Sequence, residues 1–163
     1  MRKLLIATAC LVLPMAVSAA IKPGQWITTT QMNLPQLPQM PELPPEQIEQ
    51  MKQMGITLPA AGTNGPITVK GCVSPADASG DYPPLDENVK QNCKVQNIKR
   101  SGARTTLQVV CSGDLAGTGD IEIVSLSPER YTSRFHVVGM AQGILPVDIS
   151  STAESRWVSA TCQ

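Results

Sequence analysis

The sequence predicts a mainly β fold: an antiparallel meander, in an open sheet or partly closed barrel, with one or two short helices. Alternating apolar and polar runs are separated by turn signals, and the clearest pair of runs folds about Ser101-Gly102. Consecutive strands at this spacing, joined by tight turns, are typical of antiparallel sheets. A Pro/Met-rich stretch over residues 33–65 interrupts the pattern and predicts a helical insert, and the cysteines predict two disulfides.

The hairpin from Cys93 to Cys111 has a cysteine at each end. Directly opposed Cα atoms lie about 4.5–5.5 Å apart, within the range that a disulfide requires. If Gly102 is the third residue of a longer loop, Cys93 faces Val109 and the two sulfur atoms are only diagonal neighbours. A pairing centred on Gly102 instead places Cys93 opposite Cys111, Val95 opposite Val109 and Lys99 opposite Thr105.

Residues 1–20 predict a signal peptide, because two basic residues precede an apolar run and small residues follow it. Cleavage fits after Ala19 or after Ala20. The apolar run is too short to predict a membrane anchor. We therefore expect export to the periplasm, with residues 21–163 forming a single β-rich domain that has no membrane span.

The charge of the exported part is close to neutral. Removing the signal peptide takes away two of the 13 basic side chains and no acidic one, which leaves 11 basic against 13 acidic side chains. A balance of this kind, without a run of like charges, gives no footprint for nucleic acid.

Four cysteines remain after cleavage, and an even number in an exported chain predicts disulfides. If Cys93 pairs with Cys111, then Cys72 pairs with Cys162. The alternative joins Cys72 to Cys93 and Cys111 to Cys162. The sequence has no CxxC motif and no Cys/His pair, so we expect neither a zinc site nor another cofactor.

Within the insert, Pro45 is predicted to begin a helix and Gly55 to end it. An apolar stripe recurs every three residues along this helix, and one interpretation is that it packs on the sheet, with methionines filling gaps. The functional alternatives are a site for an apolar small molecule or envelope protein partner, and Cu(I) binding by thioethers. The first alternative assigns Met40, Ile48, Met51 and Met54, and the Cu(I) alternative assigns Met51 and Met54.

Local signals predict the remaining elements. Ser74 is expected to cap a short helix that begins with Pro75, with Asp77 near its positive end. Gly117-Thr-Gly119, at the start of a strand, is interpreted as a turn signal. Strands are predicted over 22–32, 67–72, 117–126, 131–138 and 147–162, the last as one long strand or two.

Several short motifs together resemble an exported bacterial family of unknown function, DUF3617. These motifs are Lys22–Trp26, Gln50–Ile56, Cys72–Pro75, Cys93–Val95, Lys99–Gly102, Val110–Gly113, Gly117–Gly119 and the cysteine at the extreme C-terminus, Cys162. The resemblance covers essentially the whole mature chain. It implies a periplasmic, disulfide-bonded, β-rich domain, and it brings no activity, catalytic residue or ligand.

No catalytic motif accompanies the polar residues. His136 shares a strand face with Arg134, opposite Phe135, and is interpreted as facing solvent. The pairs Asp120/Glu122 and Asp86/Glu87 are interpreted as ordinary exposed carboxylates, and no nucleophile elbow surrounds any serine. We expect a non-enzymatic binding or interaction module; the alternatives are a Met-based Cu(I)-handling protein and a purely structural envelope protein.

Overall fold

The computed structural model describes residues 20–33, 43–59, 65–85 and 87–162. The predicted signal peptide and the proline run that follows Asn33 therefore lie almost wholly outside the described residues. Asp86, of the predicted pair Asp86/Glu87, also lies outside them. Within these ranges no helix is long and apolar enough to cross a membrane. The described elements, in chain order, are β1 (Gly24–Asn33), α1 (Pro45–Gln53), β2 (Ile56–Thr57), β3 (Ile67–Val73), α2 (Pro75–Ala78), α3 (Glu87–Asn92), β4 (Cys93–Ser101), β5 (Arg104–Cys111), β6 (Leu115–Ser127), β7 (Arg130–Ala141) and β8 (Leu145–Ser159).

These strands form one open antiparallel sheet in the order β2-β3-β1-β8-β7-β6-β5-β4. The predicted mainly β fold is confirmed, and the sheet is open rather than closed. Strands β4 to β8 follow one another as a meander, while β1 lies between β3 and β8. The last strand is a single element of 15 residues. Strand β2 and helix α3 were not predicted from the sequence.

The β4–β5 hairpin differs from the predicted register near its turn. Gly102 has φ of +58° and forms a two-residue turn with Ala103, so that Lys99 lies opposite Thr106; the predicted pairing of Lys99 with Thr105 is wrong. An irregularity between Gln96 and Lys99 then inserts one extra residue into β4. A bulge of this kind shifts the pairing by one position.

The bulge decides which residue faces Cys93. Beyond it, Val95 lies opposite Val109 and Cys93 opposite Cys111, and the predicted Cys93–Cys111 disulfide is confirmed. Counting back from the turn without the bulge would place Cys93 opposite Ser112. The extra residue in β4 is therefore what brings the two cysteines together.

The second disulfide joins Cys72 of β3 to Cys162, with Cα atoms 5.6 Å apart. The alternative that pairs Cys72 with Cys93 is wrong. Because β1 lies between β3 and β8 in the sheet, this bridge joins β3 to the segment that follows β8, on the other side of β1.

One face of the sheet is apolar and carries the core. A first cluster lies on β5 and β6, with Leu107 and Val109 almost completely buried. A second cluster surrounds Trp26 of β1. The connection over residues 74–92, which leads from β3 to β4, packs on both clusters, with Ala78 in the second and Tyr82, Leu85 and Val89 against the first. We call this connection the strap.

The strap begins with the capped helix that the sequence predicts. The Ser74 hydroxyl accepts a hydrogen bond from the Asp77 N–H, at 3.1 Å, and donates one to the Asp77 carboxylate, at 2.7 Å. Pro75 occupies the first helical position. The hydrogen bond from Ser74 lowers the pKa of the Asp77 carboxyl.

The interpretation of Gly117-Thr-Gly119 as a turn is wrong, because these residues lie inside β6. A Cβ atom on Gly117 would lie 2.3 Å from the Val138 carbonyl oxygen, and one on Gly119 would lie 3.1 Å from Cγ2 of Val109. The glycines therefore permit the close approach of β6 to β7 and to the core.

Candidate functional site: a polar trough

The face opposite the core carries a polar groove, which we call the trough. Its volume is about 850 Å³, and its walls run from Gln31 and Asn33 on β1 to Asn97 and Lys99 on β4. These two strands are five positions apart in the sheet, a distance of about 24 Å if the sheet were flat. Because residues of both strands border one cavity, the polar face is concave.

Two cross-strand rows of side chains line the trough. Alternation along each strand sends these side chains to the polar face, so that the residues between them, such as Leu107 and Ile121, contribute backbone to the floor. The first row, from β4 to β1, is Lys99, Thr106, Glu122, Arg134, Thr152 and Gln31. The second row, from β5 to β1, is Gln108, Asp120, His136, Ser150 and Asn33.

A second cavity of about 740 Å³ continues the trough along the same face. It shares Glu122 and Arg134 with the first cavity and extends to Arg104, Thr132 and Glu154. The polar surface is thus continuous over three cross-strand rows.

The carboxylates that line the trough already have partners. Arg104 forms an ion pair with Glu122, and Arg130 forms one with Glu154 at 2.7 Å. The Gln108 amide donates a hydrogen bond of 3.0 Å to Asp120.

Two cations of the trough differ from these carboxylates in their lack of a bonded partner among the described residues. Within the described part of the chain, neither Lys99 nor Arg134 forms an ion pair or a side-chain hydrogen bond, although both border the first cavity. Glu122 lies directly opposite Arg134, but its ion pair is with Arg104. Among the charged side chains of the first cavity, Lys99 and Arg134 are therefore the ones that no side chain of the described residues bonds.

His136 also lies in the trough, on the face that the sequence predicts. Its Nε2 atom is 2.7 Å from Oδ1 of Asp148, and Ser150 lies directly opposite it on β8. No hydrogen bond joins the Ser150 hydroxyl to the imidazole in the described structure. Such a bond would activate a serine nucleophile.

The residues predicted as a site in the insert lie elsewhere. Ile48 and Met51 of α1 are half-buried, Met54 is 64% exposed, and none of the three lines the trough. The helix begins at Pro45 and is followed by Gly55 with φ of +78°, as predicted, but no residue of α1 is buried. Met40 lies outside the described residues.

No group of three or more His, Cys, Asp or Glu side chains in the described ranges could hold a metal ion. Methionine ligands, such as the predicted pair Met51 and Met54, are a separate case. In the described structure, the positions of Met51 and Met54 are those of ordinary surface side chains and do not favour copper binding.

The family described as "Protein of unknown function (DUF3617)" matches residues 21–162. The chain belongs to this family. No curated protein and no solved structure matches the chain. The resemblance inferred from the short motifs of this DUF3617 chain is confirmed.

Alternation along the strands of this DUF3617 chain predicts correctly that His136, Asp120 and Glu122 lie on the face opposite the core, but it does not predict that this face is concave. The missing information was curvature, which turns an exposed face into a trough and which no local pattern reports. One signal was present in the sequence. On five successive strands, the alternate residues that face the trough carry amides, hydroxyls and charges of both signs, in place of mainly Lys and Glu.

Proposed function

We propose that this protein is a periplasmic binding protein, not an enzyme, whose trough takes up a small polar molecule. The observation that carries the proposal is a concave surface of about 850 Å³ lined by polar side chains from six adjacent strands. Pockets for small molecules commonly have volumes of about 300–1,000 Å³, with a few polar groups that fix the orientation of the ligand. The two basic residues at the start of the chain, followed by an apolar run and small residues, support export.

The polar side chains along the trough support a polar ligand in place of the apolar one that the insert suggested. Amide and hydroxyl groups at fixed strand positions are oriented before binding, which lowers the entropy cost of recognition.

The test is to record amide chemical shifts of the full, oxidised chain, exported in its expression host, while adding succinate, glucose 6-phosphate, glucose or arginine. We expect at least one probe to shift amides along β5–β7 in the trough. Ser150→Trp should abolish these shifts by filling the trough, because Ser150 is half-buried there.

Thr118→Trp is the matched control, since Thr118 is exposed on the same sheet but outside the trough. Thermal unfolding of both variants checks that each is folded. Shifts that survive Ser150→Trp, or the absence of trough shifts with all four probes, would overturn the proposal.

Cu(I) handling by Met51 and Met54, and a purely structural envelope role, stay predictions. Titration of the reduced metal in the presence of a competing chelator tests the former. An affinity that is unchanged in the Met51→Leu, Met54→Leu variant would exclude a site made by these thioethers.

A further inference from the structure

We infer that the ligand of the trough is a small anion, whose carboxylate or phosphate group is bound by Arg134 and Lys99. This inference rests on the proposed function and names its ligand class. It starts from the charges of the trough, where the carboxylates have partners within the protein and these two cations do not.

Ion pairing within the trough determines which charge a ligand should carry in order to bind there. A cationic ligand would meet Glu122 already paired with Arg104, would share Asp120 with the Gln108 amide, and would be repelled by Lys99 and Arg134. A neutral ligand would partly desolvate Arg134 and Lys99 without giving either a counter-charge, which costs free energy. An anionic ligand satisfies both cations and leaves the existing pairs intact.

The geometry places both cations on one row. Lys99, Thr106, Glu122 and Arg134 are successive cross-strand neighbours on β4 to β7. Three strand spacings separate the two cations along the sheet, about 14 Å, and the concave face turns their long side chains towards the same cavity. An acid group bound by Lys99 would also lie beside the half-buried Thr106 hydroxyl, and Glu122, which lies between Thr106 and Arg134 on the row, is already ion-paired with Arg104.

The two cations contribute differently. The planar guanidinium of Arg134 can donate two parallel hydrogen bonds to a carboxylate or phosphate, whereas the ammonium of Lys99 acts as a point charge. Thr152, next to Arg134 in the same row, adds a hydroxyl for the polar remainder of the ligand.

The experiment compares succinate and glucose 6-phosphate, which carry the two kinds of acid group, with neutral glucose, using the exported full chain and the same amide shifts. We expect one or both anions to bind, glucose to bind more weakly or not at all, and added NaCl to weaken the anion. Arg134→Gln should reduce anion affinity about tenfold or more, and Lys99→Gln should reduce it less.

Arg156→Gln is the matched control. Arg156 is an exposed arginine on the same face, without an ion pair in the described structure, and it does not line the trough. Its substitution should leave anion affinity unchanged.

The outcomes separate the two proposals. If glucose or arginine binds in the trough and Arg134→Gln does not weaken it, the anion inference fails while the binding function stands. If Arg156→Gln weakens the anions as much as Arg134→Gln does, attraction is non-specific and the inference fails. If no probe shifts trough amides, the proposed function itself fails.

Discussion

At the scale of single residues, Asn97 is the one that fixes how β4 and β5 meet. It adopts φ of +54° in the bulge, and its amide donates a hydrogen bond of 2.7 Å to Gln108 in the trough. Asparagine tolerates this left-handed conformation far better than a β-branched residue does. One residue thus serves both the register of the Cys93–Cys111 bridge and the lining of the trough.

Asn97→Val should lower the free energy of unfolding by about 1–3 kcal/mol, because valine is strained at positive φ. Asn97→Gly should stay within about 0.5 kcal/mol of the wild type, since glycine adopts this conformation without steric cost. Urea unfolding of the oxidised protein measures both. Gln96→Val, the neighbouring position with ordinary strand backbone, is the control; a loss as large as that of Asn97→Val would contradict the backbone explanation.

At the scale of elements, helix α2 should make stability depend on pH through its cap. The pKa of Asp77 is lowered from its ordinary 3.8, first by the hydrogen bond from Ser74 and also by the charge of Lys90. A carboxyl with a lowered folded-state pKa contributes stability that is full above its unfolded pKa and is lost as pH falls through the folded-state value. Ser74→Ala should therefore lower Tm at neutral pH, and the difference from wild type should shrink below pH 3.8.

Ser79→Ala is the control for this pH effect. The Ser79 hydroxyl bonds the Ala76 carbonyl oxygen in the same helix and contacts no carboxylate. Its Tm difference from wild type should be the same at pH 3 and pH 7. A Ser74→Ala difference that is equally insensitive to pH would mean that the Asp77 carboxylate is not part of the cap.

Helix α1 and strand β5 should respond very differently to truncation of apolar side chains. Met51→Ala or Ile48→Ala should cost less than about 1 kcal/mol, because both side chains are only half-buried. Leu107→Ala should cost about 2–5 kcal/mol, because Leu107 is only 1% exposed in the core of β5 and β6. Denaturant midpoints give both values, and a large loss at Met51 would show that α1 packs on more than the sheet edge.

Elements with strong local signals could be predicted, and their registers could not. Pro45, Ser74 and the Gly102 turn mark a helix start, a cap and a hairpin through their own backbone preferences. The pairing of strands also depends on bulges, at Asn97 in β4 and between Ser125 and Ser127 in β6, and each changes which residue faces which. Counting from the Ser127–Arg130 turn alone would not have paired Asp120 with His136.

At the scale of the whole molecule, the two disulfides close loops of different size. Cys72–Cys162 spans 90 residues and Cys93–Cys111 spans 18. In the chain-entropy account the longer loop contributes about 4–5 kcal/mol and the shorter about 3 kcal/mol. The Cys72→Ala, Cys162→Ala double variant should thus lose more stability than the Cys93→Ala, Cys111→Ala variant.

Thermal or urea unfolding of both double variants under non-reducing conditions measures this difference. The wild type with dithiothreitol provides the control in which both loops are open. If loss of the short bridge cost more than loss of the long one, strain or unfolded-state structure would outweigh loop length.

The position of β1 between β3 and β8 has a consequence for the order of assembly. Strand β1 is the first strand of the described residues, yet one of its two edges pairs with β8, the last of the described strands. The Cys72–Cys162 bridge also requires Cys162, which follows β8. The meander of β4 to β8 pairs strands that are neighbours in the chain, whereas β1 lacks one of its two partners until β8 is in place. A chain truncated before β8 would therefore expose that edge of β1, and pairing with β8 is what protects the edge from pairing with other chains.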